Sequence, residues 1–114
     1  MNPWLDVYRR FRDSPDWEGF TLLFQVGGRV EALDDDAIEV ARVAGTALDD
    51  WEGTPRTFVG HGSARDLMED LPGSSVLVEQ DPRTLRWRAT YFIYRTTAEN
   101  LRRINTEAPP PVLL

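Results

Sequence analysis

Apolar and polar side chains alternate most regularly between Leu85 and Arg95, LRWRATYFIYR. Leu85, Trp87, Ala89, Tyr91 and Ile93 share one side of an extended segment, and Arg86, Arg88, Thr90, Phe92 and Tyr94 share the other. This is the period-two signature of a strand. Ser75 to Gln80, SVLVEQ, gives a second strand, and Asp81-Pro82-Arg83-Thr84 joins the two as a four-residue turn with proline fixing φ. Counting outward from that turn pairs Gln80 with Leu85, Glu79 with Arg86, Val78 with Trp87 and Val76 with Ala89. An ion pair then falls on one face and apolar pairs on the other, which predicts a hairpin at the centre of a sheet.

The rest of the chain follows the same two periods. Asn2 and Pro3 start a helix, a capping acceptor followed by a residue whose missing N–H is not needed, with Trp4, Leu5, Tyr8 and Phe11 as its apolar stripe. Residues 20–26 and 30–33 read as strands. A three-residue loop Gly27-Gly28-Arg29 sets Val26 against Val30 and Phe24 against Ala32, whereas a two-residue loop would set Phe24 against Glu31. A long helix over 36–50 follows, with Asp36 and Glu39 at capping-box spacing, Ala37, Val40, Ala41, Ala44, Ala47, Leu48 and Trp51 as its stripe, and Gly45 inside it. Thr57-Phe58-Val59 is a short strand, and Ser63 with Asp66 heads a short helix carrying Leu67, Met68 and Leu71. Thr96 and Glu99 cap a last helix with Leu101 and Ile104 buried.

These elements predict one α+β domain over residues 1–107 in the order α-β-β-α-β-α-β-β-α, followed by an extended proline-rich tail at 108–114. The expected sheet is mainly antiparallel with four or five strands, and helices pack chiefly on one face. A length of 114 residues with 41% hydrophobic content supports a single core. There is no run of eighteen apolar residues and no signal-peptide pattern at the start, so the chain reads as cytoplasmic, without membrane contact.

Composition removes several chemistries. Cysteine is absent and His61 is the single histidine, which leaves no thiol nucleophile, no cysteine metal site and little basis for a histidine triad. Lysine is absent too, a bias of the kind a GC-rich genome produces. The net charge of −6 is unevenly spread: residues 1–30 are neutral, residues 31–81 carry −10 and residues 82–114 carry +4. Such a chain is a poor direct nucleic-acid binder and a plausible ligand for a basic surface.

Four features are candidates for function. The first is the glycine-rich turn Gly60-His61-Gly62-Ser63, where backbone N–H groups can meet an anion, although a Walker loop needs longer glycine spacing and a lysine. Phe58 to Ser63, FVGHGS, resembles the strand-end motif of the sirohydrochlorin and cobalt chelatase family, in which the histidine helps to bind metal. The resemblance covers six residues, and no activity is carried over from it. The second is a pair of carboxylates for acid–base work, but the acids lie in runs whose neighbours point apart, as on a solvated surface.

The third is the acidic arc Glu31, Asp34, Asp35, Asp36, Glu39, Asp49, Asp50 and Glu52, opposed by Arg42 alone. Asp49 and Asp50 fall in the last turn of the expected helix, where acids oppose the dipole and invite a partner, and Trp51 among them offers an aromatic anchor. The fourth, the Arg86, Arg88, Phe92, Tyr94 face, has the composition of single-strand-binding surfaces, but a covering helix is the plainer reading.

Elimination and charge lead to a non-catalytic protein without cofactor. It would bind and neutralise a partner protein with a basic surface, such as a nuclease or another nucleic-acid enzyme, in the manner of immunity proteins, antitoxin-like inhibitors or phage anti-defence proteins. Asp34, Asp35, Asp36, Glu39, Asp49, Asp50 and Glu52 would steer and Trp51 would anchor, in a monomer or homodimer. Two alternatives are a dimeric chaperone of the type III secretion kind and a small enzyme or ligand-binding domain using the Gly60 to Ser63 turn.

Overall fold

In the computed structural model, which describes residues 3–60, 62 and 64–95, the chain runs α1 (Pro3–Asp13), a 3₁₀ turn (Pro15–Trp17), β1 (Thr21–Val26), β2 (Arg29–Leu33) and α2 (Asp34–Ala44). It continues through β3 (Asp49–Trp51), β4 (Thr54–Gly60), α3 (Ala64–Asp70), β5 (Ser75–Gln80) and β6 (Trp87–Ile93). The strands form one sheet in the order β3-β4-β2-β1-β5-β6. Its neighbours are antiparallel except β1 and β5, which run parallel. The described residues thus make a single α+β domain of three α-helices on a six-stranded mixed sheet. The expected last helix from Thr96 and the tail at 108–114 lie outside the described residues.

Helices occupy both faces, not chiefly one. Ala37 and Val40 of α2 and Ala64, Leu67 and Met68 of α3 pack on Leu23, Val30, Ala32 and Leu77. On the other face Tyr8 of α1 joins Leu22, Phe24, Leu33, Val76 and Val78. The cause is β1, whose consecutive Leu22, Leu23 and Phe24 are all fully buried, so that apolar side chains leave the sheet in both directions. Burying each such side chain favours folding by roughly 1.5–3 kcal/mol.

The same two-sided burial corrects the first hairpin. Phe24 lies opposite Glu31 and Val26 opposite Arg29, so the loop is the two residues Gly27 and Gly28, with Gly27 at φ +62°. Val30 and Ala32 then face α2, while Glu31 points to the α1 side. There it is 3% exposed, and its carboxylate lies 3.8 Å from the Arg56 guanidinium. Alternation of polar and apolar residues is no guide to register where both faces are covered.

Helix α2 is shorter than its apolar stripe. It starts at Asp34, with Leu33 at the N-cap and no side-chain cap, and it ends at Gly45, which sits in the left-handed region at φ +71° and donates its N–H to Ala41. Gly45 is therefore a C-cap and not an interior residue. The chain turns back, and Asp49–Trp51 pairs with β4 as a sixth strand.

The β5–β6 hairpin is also corrected, and β6 is an edge strand, not the centre. Its loop is two residues longer at its far end: the Asp81 carboxylate accepts the N–H groups of Arg83 and Thr84, and Leu85 takes φ +60°. Gln80 consequently faces Trp87, and Glu79 faces Arg88. An irregularity then places Val78 opposite Ala89 but Leu77 opposite Tyr91, so that Thr90 is the extra residue of a bulge. Past the bulge the faces exchange. Phe92 and Tyr94 join Trp87 and Ala89 on the α1 side, and Tyr91 and Ile93 turn to α2 and α3.

Candidate functional site

Strand register decides where the acidic residues meet. Leu33, the last residue of β2, lies opposite Arg56, and Arg56 lies opposite Asp49. Asp34 follows Leu33 directly at the start of α2, so Asp34 and Asp35 share one end of the sheet with Asp49, two strand spacings or roughly 10 Å across. Beyond that row β3 and β4 continue past the end of β2, and Asp50 pairs with Pro55. The hairpin closes at Glu52 and Gly53, both with positive φ, +52° and +84°, as a tight two-residue turn of the primed kind demands. Asp34, Asp35, Asp49, Asp50 and Glu52 are all exposed.

Two apolar side chains close to these acids in sequence are exposed. Ile38 is 49% exposed, and it lies one turn along α2 on the side of Asp34 and Asp35. Leu48, 48% exposed, immediately precedes Asp49. The basic residue of the row, Arg56, is engaged internally: its guanidinium meets Asp49 at 3.3 Å, approaches Glu31 and lies 4.9 Å above the centre of the Trp51 ring. The described end therefore presents negative charge with two apolar contacts.

Four members of the expected arc have other surroundings, Glu31 being buried against Arg56. Trp51 is half-buried, capped by Arg56 and packed against the α1-side core, so it is not a free anchor. Glu39 pairs with Arg42 one turn along α2. Asp36 is neither solvated nor a helix cap: it is 7% exposed and accepts the Tyr8 hydroxyl at 2.9 Å and the Arg12 guanidinium at 2.8 Å. Burial raises the Asp36 pKa above the ordinary carboxylate value, against the opposing pull of Arg12, Tyr8 and the Leu22 N–H. Burial and then the adjacent carboxylate push the Tyr8 phenol well above its ordinary value, which keeps it a donor. This cluster ties α1 to the start of α2 across 24 and 28 residues of sequence, a separation at which no local pattern signals it.

Asp49 and Asp50 also change meaning. They are in an edge strand and do not oppose a helix dipole. Charge on a short edge strand blocks pairing with another chain's strand, which gives these residues a structural use beside any partner. At the glycine turn, Gly60 closes β4 opposite Arg29 and Gly62 is exposed, while His61 and Ser63 lie outside the described residues. A Cβ at Gly60 or Gly62 would meet nothing within 4 Å, so crowding does not demand glycine there.

Among the described residues no three His, Cys, Asp or Glu side chains are grouped to hold a metal ion, and no helix is long and apolar enough to cross a membrane. No protein-family model and no curated protein matches the chain.

Proposed function

We propose that this protein binds a basic surface on another protein and blocks it, through the end of the sheet where α2 begins and the β3–β4 hairpin projects. The observation that supports this reading is five exposed acids brought from two separate segments to one end of the sheet, with exposed Ile38 and Leu48 on the same segments and with Arg56 already engaged by Glu31 and Asp49. Acids at the rim accelerate encounter with a positive partner, and desolvated apolar side chains at the centre slow its release. The mechanism is steric and electrostatic occlusion, with Asp34, Asp35, Asp49, Asp50 and Glu52 steering and Ile38 and Leu48 replacing Trp51 as the contact core.

The test is capture from host lysate at low salt, followed by affinity measurement on the purified partner. A stoichiometric basic protein is expected, with affinity falling at least about tenfold from 0.05 to 0.5 M salt on screening grounds. Changing Asp49, Asp50 and Glu52 to amides should cost about a further tenfold through slower association, and Ile38→Ala with Leu48→Ala should raise the dissociation rate. Salt-insensitive binding, or binding indifferent to all five substitutions, rejects this surface.

A further inference from the structure

At the opposite edge of the sheet arginines and acids are mixed. A cleft of 670 Å³ opens between the α1–3₁₀ segment and the start of β6, with Arg10, Asp16 and Trp17 on one wall and Leu85, Arg86 and Trp87 on the other. With five strand spacings between the two edges, it is roughly 24 Å from the acidic hairpin. It is an open groove on the surface, not an enclosed cavity.

Three features of the cleft point to one kind of ligand. The Arg10 and Arg86 guanidinium groups carry neither an ion pair nor a hydrogen bond among the described residues, in a protein where acids outnumber arginines. Arg12, Arg42, Arg56, Arg88 and Arg95 are each paired with a carboxylate, Arg29 and Arg65 lie over the Phe58 and Tyr91 rings, and Arg9 and Arg83 share the unpaired state outside the cleft. Trp17 is fixed by edge contacts to Phe20 at 5.2 Å and Phe92 at 5.9 Å, and Trp87 by a contact to Phe24 at 6.1 Å, so the indole walls are in place before a ligand arrives. Leu85, 65% exposed, is held at the rim in a left-handed conformation that leucine rarely adopts.

We propose that this cleft binds a small ligand joining a planar aromatic ring to an anionic group, the ring against Trp17 and Trp87 and the anion at Arg10 and Arg86. Guanidinium groups suit phosphate or carboxylate oxygens, and indoles provide stacking surface. Asp16 repels a second anion on its side of the cleft and accepts a donor on the ring. The two sources of this chemistry are an aromatic phosphate and an aromatic carboxylate.

Amide chemical-shift titration of the ¹⁵N-labelled full chain distinguishes them, with AMP, benzoate, adenosine and inorganic phosphate as probes. Saturable shifts at residues 14–17 and 85–87 are expected with AMP or benzoate, the tighter of the two naming the anion. Adenosine and inorganic phosphate should bind at least about tenfold more weakly, and Arg10→Gln with Arg86→Gln should weaken binding at least about tenfold while the remaining spectrum is unchanged. The proposal is overturned if neither aromatic anion gives saturable shifts, if the shifts map elsewhere, or if inorganic phosphate binds as tightly as AMP.

Discussion

Asp36 is the residue on which three elements converge, because its carboxylate takes donors from α1 and β1 while sitting in the first turn of α2. Asp36→Asn should destabilise the fold by about 2 kcal/mol, the scale for spoiling a charge-assisted buried hydrogen bond. The pH dependence has a definite sign. Since burial raises its pKa in the folded chain, folding favours the proton on Asp36. Its contribution is therefore most favourable below the ordinary carboxylate range and is lost as pH rises through the raised value. Urea unfolding of both proteins should show a larger advantage of the wild type over Asp36→Asn in acid than at neutrality, and a flat difference would contradict the assignment. Glu31 and Arg56 allow a second test. Arg56→Met strands a carboxylate whose side chain is 4% exposed and should cost about 3 kcal/mol, whereas Glu31→Leu combined with Arg56→Met should recover most of it. A double-mutant cycle in urea measures the coupling, and additive losses would show that the pair is not coupled.

At the scale of elements, Gly45 separates two structures by the sign of one substitution. Inside a helix, Gly45→Ala would stabilise by about 1 kcal/mol. At φ +71° it should destabilise by about 1 kcal/mol, which thermal unfolding can resolve. This residue also shows why element boundaries were harder to read than elements. Helices α1 and α3 and strands β1, β2, β5 and β6 were legible because apolar spacing marks each of them. The end of α2 was not, because the stripe Ala44, Ala47, Leu48 and Trp51 continues in sequence after the backbone has left the helix. Strand β3 is three residues, two of them aspartates that strand propensity disfavours, and it is held by the Glu52-Gly53 turn and the edge of β4. Thr90 hid in the same way: the alternation through it is regular, and a bulge sends half of β6 to the other face. The acids around α2 and β3 were visible as a group, but the burial of Asp36 and Glu31 and the exposure of the five others depended on Tyr8, Arg12 and Arg56, remote in sequence, with Glu39 turned to Arg42. The arginine cleft was only half visible, through Arg86, because its other wall comes from α1 and the 3₁₀ turn.

For the molecule as a whole, the acidic middle of the chain becomes an acidic β3 edge of the sheet, while arginines and acids are mixed toward β6. A field of that shape orients an approaching partner before contact. The layers on both faces are joined through the middle of the sheet, where Thr21 to Phe24 pair with Ser75 to Val78. That parallel pairing carries a kinetic consequence. The β1–β2 hairpin and α2 can form from local contacts, but β1 has no neighbour on its other side until more than fifty residues have been ordered, and closing such a loop is entropically slow. During synthesis a chain halted before Ser75 would hold all of β1 with one backbone edge unpaired and Leu22, Leu23 and Phe24 uncovered by β5. The nascent protein is thus most prone to aggregate just before the β5–β6 hairpin emerges, and β5, which pairs with β1, also protects it.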